Sequence, residues 1–159
     1  MGVAFSEESL QEYERIVARY PSRRAAIMPV LWLAQRDFGY LSVEVQEYVA
    51  QLMGFPLAWI SGLASFYTMF YKKPVGRHHV QVCTNVSCML RGSDEIVRCI
   101  EDRLRIGLGE TTADGKFTLD EVECLASCGT APMMQVNEKY HENLDPKATL
   151  ELIDRLARE

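Results

Sequence analysis

The chain predicts an α+β protein, helical in its first half and mixed in its second. Three observations carry that expectation. Apolar residues recur at helical spacing through Tyr71, composition changes abruptly over Lys72-Lys73-Pro74-Val75-Gly76-Arg77, and strand-like patterns begin only after that change. The boundary gives two domains, residues 1–74 and 75–159. With 159 residues, 48% hydrophobic and 25% charged, the chain has core enough for both.

The helical half divides at its caps and prolines. Ser6 caps a first helix with Glu7 and Glu8 in its opening turn, where carboxylates favour the helix dipole, and Leu10, Tyr13, Ile16, Val17 and Tyr20 share a face. Pro21-Ser22 ends it, and Ser22 caps a second helix toward Gly39 whose inner face is Ala26, Ile27, Val30, Leu31, Ala34 and Phe38. Pro29 inside that run predicts a kink or a late start near Met28. Ser42 caps a third helix, with Val45, Val49 and Leu52 inward and Gly54 as the stop. Pro56 opens a fourth that runs to about Tyr71 and is apolar nearly all round, a pattern expected at the centre of a bundle. A sharper reading turns its aromatics Phe66, Tyr67, Phe70 and Tyr71 toward a partner.

In the second half, His79 to Cys83 alternates as a half-buried strand, with His78-His79 as a solvated entry. A helix follows from Gly92-Ser93 with Ile96, Val97, Ile100 and Leu104 on one face and Cys99 packed on its flank. After an Asp114-Gly115 turn, Phe117 to Val122 reads as a second strand, and Met133–Val136 with Lys139–His141 as a hairpin across Asn137-Glu138. Asp145-Pro146 starts the last helix. The predicted order is β-α-β-β-β-α.

Composition excludes several functions. A net charge of −5 without a basic cluster argues against nucleic acid. The longest apolar run, Ala25 to Ala34, falls well short of the roughly 18 residues a bilayer span needs. The start of the chain lacks the basic and apolar regions of a signal peptide, and five cysteines in such a context read as reduced thiols or metal ligands. A cytoplasmic protein without membrane insertion is expected.

Four of those cysteines carry the chemistry. Cys83-Thr-Asn-Val-Ser-Cys88 and Cys124-Leu-Ala-Ser-Cys128 each follow a predicted strand, and neither has the C-x-x-C spacing of a dithiol redox catalyst. If the loops meet, they form a four-thiolate cage. Structural zinc takes four cysteines, but its knuckles usually support folds too small for their own core. A [2Fe–2S] cluster needs two thiolates on each of two irons, which suits two loops of two, and the small polar loop residues leave room for backbone N–H groups near sulfur. Catalytic thiol chemistry finds no support, since no histidine stands in either loop.

With the cysteines in place, the chain resembles the thioredoxin-like [2Fe–2S] subunit of the NADH-oxidising module of respiratory complex I, the E-type subunit of the bacterial enzyme. The matching stretches are Arg24-Ala-Ala-Ile-Met-Pro29, Gly62-Leu-Ala-Ser-Phe-Tyr67, Gln81-Val-Cys-Thr-Asn-Val-Ser-Cys88, Gly109-Glu-Thr-Thr-Ala-Asp-Gly115 and Val122-Glu-Cys-Leu-Ala-Ser-Cys128, with Ala131-Pro132 and Val136-Asn137 beyond. The resemblance implies an N-terminal helical bundle followed by a thioredoxin-like [2Fe–2S] ferredoxin domain, with Cys83, Cys88, Cys124 and Cys128 as ligands of one cluster. Ala126 stands where such subunits often have glycine. A larger flavoprotein subunit carrying NADH, FMN and a [4Fe–4S] cluster is implied as the partner. This chain, with no G-x-G-x-x-G and no P-loop, offers no nucleotide site of its own. The implied role is single-electron exchange with the partner's FMN in the peripheral arm of a membrane-bound NADH:quinone oxidoreductase, on the matrix side if mitochondrial. The same subunit would serve the diaphorase module of an NAD-dependent hydrogenase or formate dehydrogenase. A structural zinc interaction module and a free-standing ferredoxin are the remaining readings.

Overall fold

The computed structural model describes residues 2–159, so Met1, where the predicted first domain and the signal-peptide reading begin, lies outside the described residues. Two compact units divide the chain, one ending at Pro74 and the other running from Val75 to Glu159. Among the described residues, no helix is long and apolar enough to cross a membrane.

The first unit holds four helices, α1 (Glu7–Ala18), α2 (Ile27–Phe38), α3 (Val43–Met53) and α4 (Leu57–Phe66). Ser6 and Ser42 cap α1 and α3 through their hydroxyls, and Gly54 closes α3 in the left-handed region. Ser22 caps a single 3-10 turn, Arg23–Ala26, which hands the chain to α2 at Ile27. Pro29 therefore stands in the first turn of α2, where its missing N–H costs nothing. The core gathers Ile27, Val30, Leu31 and Ala34 of α2 against Val45, Val49 and Met53 of α3 and Ile60 and Ala64 of α4.

The fourth helix departs from the expectation twice. It ends at Phe66 rather than near Tyr71, because the chain turns out into an extended Tyr67. The segment beyond is tied down by Gln35, a buried amide whose Nε2 donates to the Met69 carbonyl at 2.9 Å and whose Oε1 accepts the Tyr71 N–H at 2.6 Å. Phe70 is thereby buried beside Trp32, with ring centroids 5.6 Å apart. Nor is α4 buried all round. Only Ile60 and Ala64 are fully inside, while Trp59 is exposed and Phe66 is 77% exposed. Of the four aromatics read as facing a partner, Phe66 alone is strongly exposed.

The second unit is a five-stranded sheet in the order β2-β3-β1-β4-β5, built from β1 (His78–Cys83), β2 (Glu110–Thr111), β3 (Phe117–Val122), β4 (Met134–Val136) and β5 (Lys139–His141). Three helices complete it: α5 (Val86–Leu90), α6 (Ser93–Leu104) and α7 (Pro146–Leu156). β1 pairs parallel with β3, Cys83 opposite Val122, and antiparallel with β4, Val82 opposite Met134. The parallel pair needs a crossover, which α6 supplies. Val80 and Val82 of β1 share a core with Ile96 and Ile100 of α6 and Leu152 and Ile153 of α7.

Two short elements, α5 and β2, escape the predicted order. The central position of β1 also overturns its expected half-burial: all six residues are buried, with a neighbouring strand on each side. His78 and His79 are accordingly 5% and 3% exposed and form no solvated entry. His78 packs on the Phe117 ring, and His79 Nε2 lies 2.6 Å from Asp120 Oδ2 on β3. Cys99 is packed as expected, against the α6 and α7 core.

Candidate metal centre

Parallel pairing places the C-terminal ends of β1 and β3 at the same edge of the sheet, and both cysteine loops leave from that edge. Cys83 is the last residue of β1. The ladder runs one step further, the Thr84 N–H donating to the Val122 carbonyl at 3.1 Å, so Cys124 follows only two residues beyond the last rung. On the other flank, the Cys83 N–H donates to the Met133 carbonyl at 3.2 Å and draws in the segment after Cys128.

The first loop is organised by a helix. Asn85 caps α5 by accepting the Val86 N–H at 2.9 Å, and this turn swings Cys88 inward. Cys83 and Cys88, 3% and 2% exposed, pack together with Ala131 and Met133. Burial, then the hydrogen bond with Cys83, pushes the Cys88 thiol up from an ordinary 9.0 to about 11. The Met133 N–H works the other way, favouring the thiolate, while charge on Cys83 and on Cys128 adds to the rise. Leu125 of the second loop packs against this same cluster, so the second loop adjoins the first.

Cys124 and Cys128, by contrast, are exposed, and their sulfurs stand 3.5 Å apart. Between them, Ala126 adopts a left-handed conformation (φ 64°), and its N–H donates to the Cys124 Sγ at 3.3 Å. That is the position at which the resemblance implies glycine. A donor held on sulfur stabilises thiolate and tunes a metal bound there. The loops are also joined directly, Asn85 Nδ2 donating to Glu123 Oε2 at 2.6 Å.

All four cysteines singled out in the sequence thus lie in adjoining loops, drawn together as two pairs. Among the described residues, no group of three or more His, Cys, Asp or Glu side chains forms a closed metal cage. The donor set fits an iron–sulfur group: sulfur only, two per loop, with the Ala126 backbone N–H already directed at the Cys124 thiol. Sequence reasoning missed the residues that hold the loops, namely Asn85, Glu123, Tyr140 and Glu142. Only Asn85 carried a signal, as an N-cap residue type before a short apolar turn.

The model of the thioredoxin-like [2Fe–2S] ferredoxin family matches residues 13–157, most of both units. The chain belongs to that family. Its relatives are close in sequence. It is 53% identical to an E-type chain of the NADH-quinone oxidoreductase of Rhizobium meliloti over 135 residues, 85% of this chain and 80% of that one. It is 45% identical to the E-type chain of the NADH-quinone oxidoreductase of Rickettsia conorii over 155 residues, 96% and 93% of the two chains. Similarity extends to the mitochondrial NADH dehydrogenase [ubiquinone] flavoprotein 2 of Dictyostelium discoideum, 44% identical across 96% of this chain and 63% of that one. Among solved structures, an NAD+-reducing [NiFe]-hydrogenase in its air-oxidized state matches 80% of this chain with a TM-score of 0.70. At 20% identity, and with the match spanning 22% of that chain, this is a likeness of fold. The α+β architecture of the family is the one the sequence predicted.

Proposed function

We propose that Cys83, Cys88, Cys124 and Cys128 hold one [2Fe–2S] cluster, two thiolates to each iron, and that the chain is the electron-transfer subunit of an NADH:quinone oxidoreductase. The observation that carries this reading is the departure of two loops, each with a cysteine pair, from one edge of the parallel β1–β3 pair, with Leu125 of the second loop packed on the cluster around Cys83 and Cys88. Family membership and the names of relatives at 45–53% identity support it over the hydrogenase module, for which the likeness is one of fold.

Such a cluster, when bound, supplies a one-electron couple that needs no substrate pocket. The chain's own residues divide the remaining work. Ala131 and Met133 shield Cys83 and Cys88 from water, and Cys88 gives up a strongly held proton on ligation. The Ala126 and Met133 N–H groups stabilise negative charge on Cys124 and Cys88. Exposure of Cys124 and Cys128 leaves the second pair where a partner chain can cover it. The partner this reading requires is a larger flavoprotein carrying NADH, FMN and a [4Fe–4S] cluster, in the peripheral arm of the complex. Exposed apolar residues, Phe66 in the first unit and Leu90 (78% exposed) in the second, suit a chain that is covered in an assembly.

Anaerobic purification followed by iron, acid-labile sulfide and zinc analysis tests the proposal. Two irons and two sulfides per chain, with a paramagnetic signal on reduction, are expected. One zinc in a colourless protein overturns it.

A further inference from the structure

The second cysteine loop has no strand or α-helix to hold it, yet its conformation is tied by side chains of β5 and of the residue that follows it. Glu142, one residue past that strand, receives hydrogen bonds on a single carboxylate oxygen, Oε1, from the hydroxyls of Ser127 and Thr130, the latter at 2.6 Å. These two residues flank Cys128 on either side. The Thr130 N–H closes the same turn onto the Ser127 carbonyl at 3.1 Å. At the loop's other end, Tyr140 Oη donates to the Leu125 carbonyl at 3.0 Å, next to Cys124. The backbone continues the fastening, with the Asn143 N–H on the Thr130 carbonyl at 2.7 Å. The carboxyl of Glu142 lies below the usual carboxylate range, first through Ser127 and then through Thr130, so it accepts as an anion at neutral pH.

We propose that Glu142 is a positioning residue for the Cys124–Cys128 pair: its carboxylate clamps the hydroxyls on both sides of Cys128 and so sets the presentation of that thiol to the metal. This rests on the four-cysteine reading above. Charge-assisted hydrogen bonds are the strong ones, and an exposed loop without strand or α-helix depends on them more than a buried one does. Glu142 touches neither sulfur, and acts through Ser127 and Thr130.

The experiment uses the full chain in two states. In the metal-free chain, hydrogen exchange is followed over residues 124–130 and, as an internal control, over β1. Glu142→Ala speeds exchange in the loop about tenfold and leaves β1 unchanged, while Glu142→Gln, which keeps an acceptor oxygen, restores most of the protection. After reconstitution with iron and sulfide, Glu142→Ala loses its cluster to a chelator at least about threefold faster than the parent, and Glu142→Gln does not. Unchanged exchange and unchanged loss in the alanine variant overturn the proposal. So does equal acceleration in β1, which marks general destabilisation, or a glutamine variant indistinguishable from alanine. A parent chain that takes up no iron and sulfide overturns the proposed function instead, and the exchange measurement still decides the clamp.

Discussion

Cys83 and Cys88 stand at the end of a fully buried strand and inside a capped helical turn, whereas Cys124 and Cys128 sit on an exposed loop whose only helix is a 3-10 turn. The first pair is placed by secondary structure and burial: the β1 ladder, the Asn85-capped α5 and the packing of Ala131 and Met133. The second is placed by side chains reaching in from β5 and by one left-handed residue, Ala126. Cysteines proposed as equivalent ligands are thus held by different physics. One pair of thiols is buried, and the other is exposed.

Serine at each ligand position tests that contrast most severely. All four variants lose the cluster, but Cys83→Ser and Cys88→Ser also cost the metal-free chain about 1–3 kcal/mol, because a hydroxyl enters a buried site shaped for sulfur. Cys124→Ser and Cys128→Ser stay within about 0.5 kcal/mol of the parent. Urea denaturation of the metal-free chains measures the difference, and equal losses at all four positions break the comparison.

Alkaline titration probes the buried loop alone. The folded Cys88 thiol is raised from 9.0 to about 11, so the fold favours its protonated form. The stability that this contributes is complete below pH 9 and declines as pH rises toward 11. Denaturation midpoints of the metal-free chain should fall across that window, and Cys88→Ser should flatten the fall. A slope unaffected by the substitution assigns the effect elsewhere.

Two smaller changes sharpen the picture. Asn85→Ala removes both the α5 cap and the bridge to Glu123, and should cost about 1–2 kcal/mol while loosening the cluster. Chelator-driven release and denaturation read the two effects together. Ala126→Gly goes the other way. Relief of a side chain at φ 64° should stabilise the metal-free chain by about 1 kcal/mol, measured by denaturation, provided the N–H still reaches Cys124.

The caps at Ser6, Ser42 and Asp145, the late start of α2 around Pro29, the β4–β5 hairpin and the four cysteines were legible because each is a local signal: a residue type at a fixed offset. What failed depends on neighbours distant in the chain. His79 looks like a solvated strand entry until Asp120, on a strand some forty positions later, is placed beside it (|i−j| = 41). The end of α4 is set by Gln35, whose partners are Met69 and Tyr71. The clamp from Glu142 to Ser127 and Thr130 likewise has no spacing rule, since hydroxyls and carboxylates abound on any surface.

The parallel pairing of β1 with β3 also governs when the site can exist. A parallel pair closes only after its crossover is made, and such non-local contacts form late in folding. The wall of the buried pair then awaits a still later segment, since Met133 packs on Cys83 and Cys88 and β4 is the second neighbour of β1. A nascent chain that has emerged only as far as Thr130 displays all four cysteines yet lacks the pocket for two of them. The walled site therefore needs β4 in place as well as both cysteine loops.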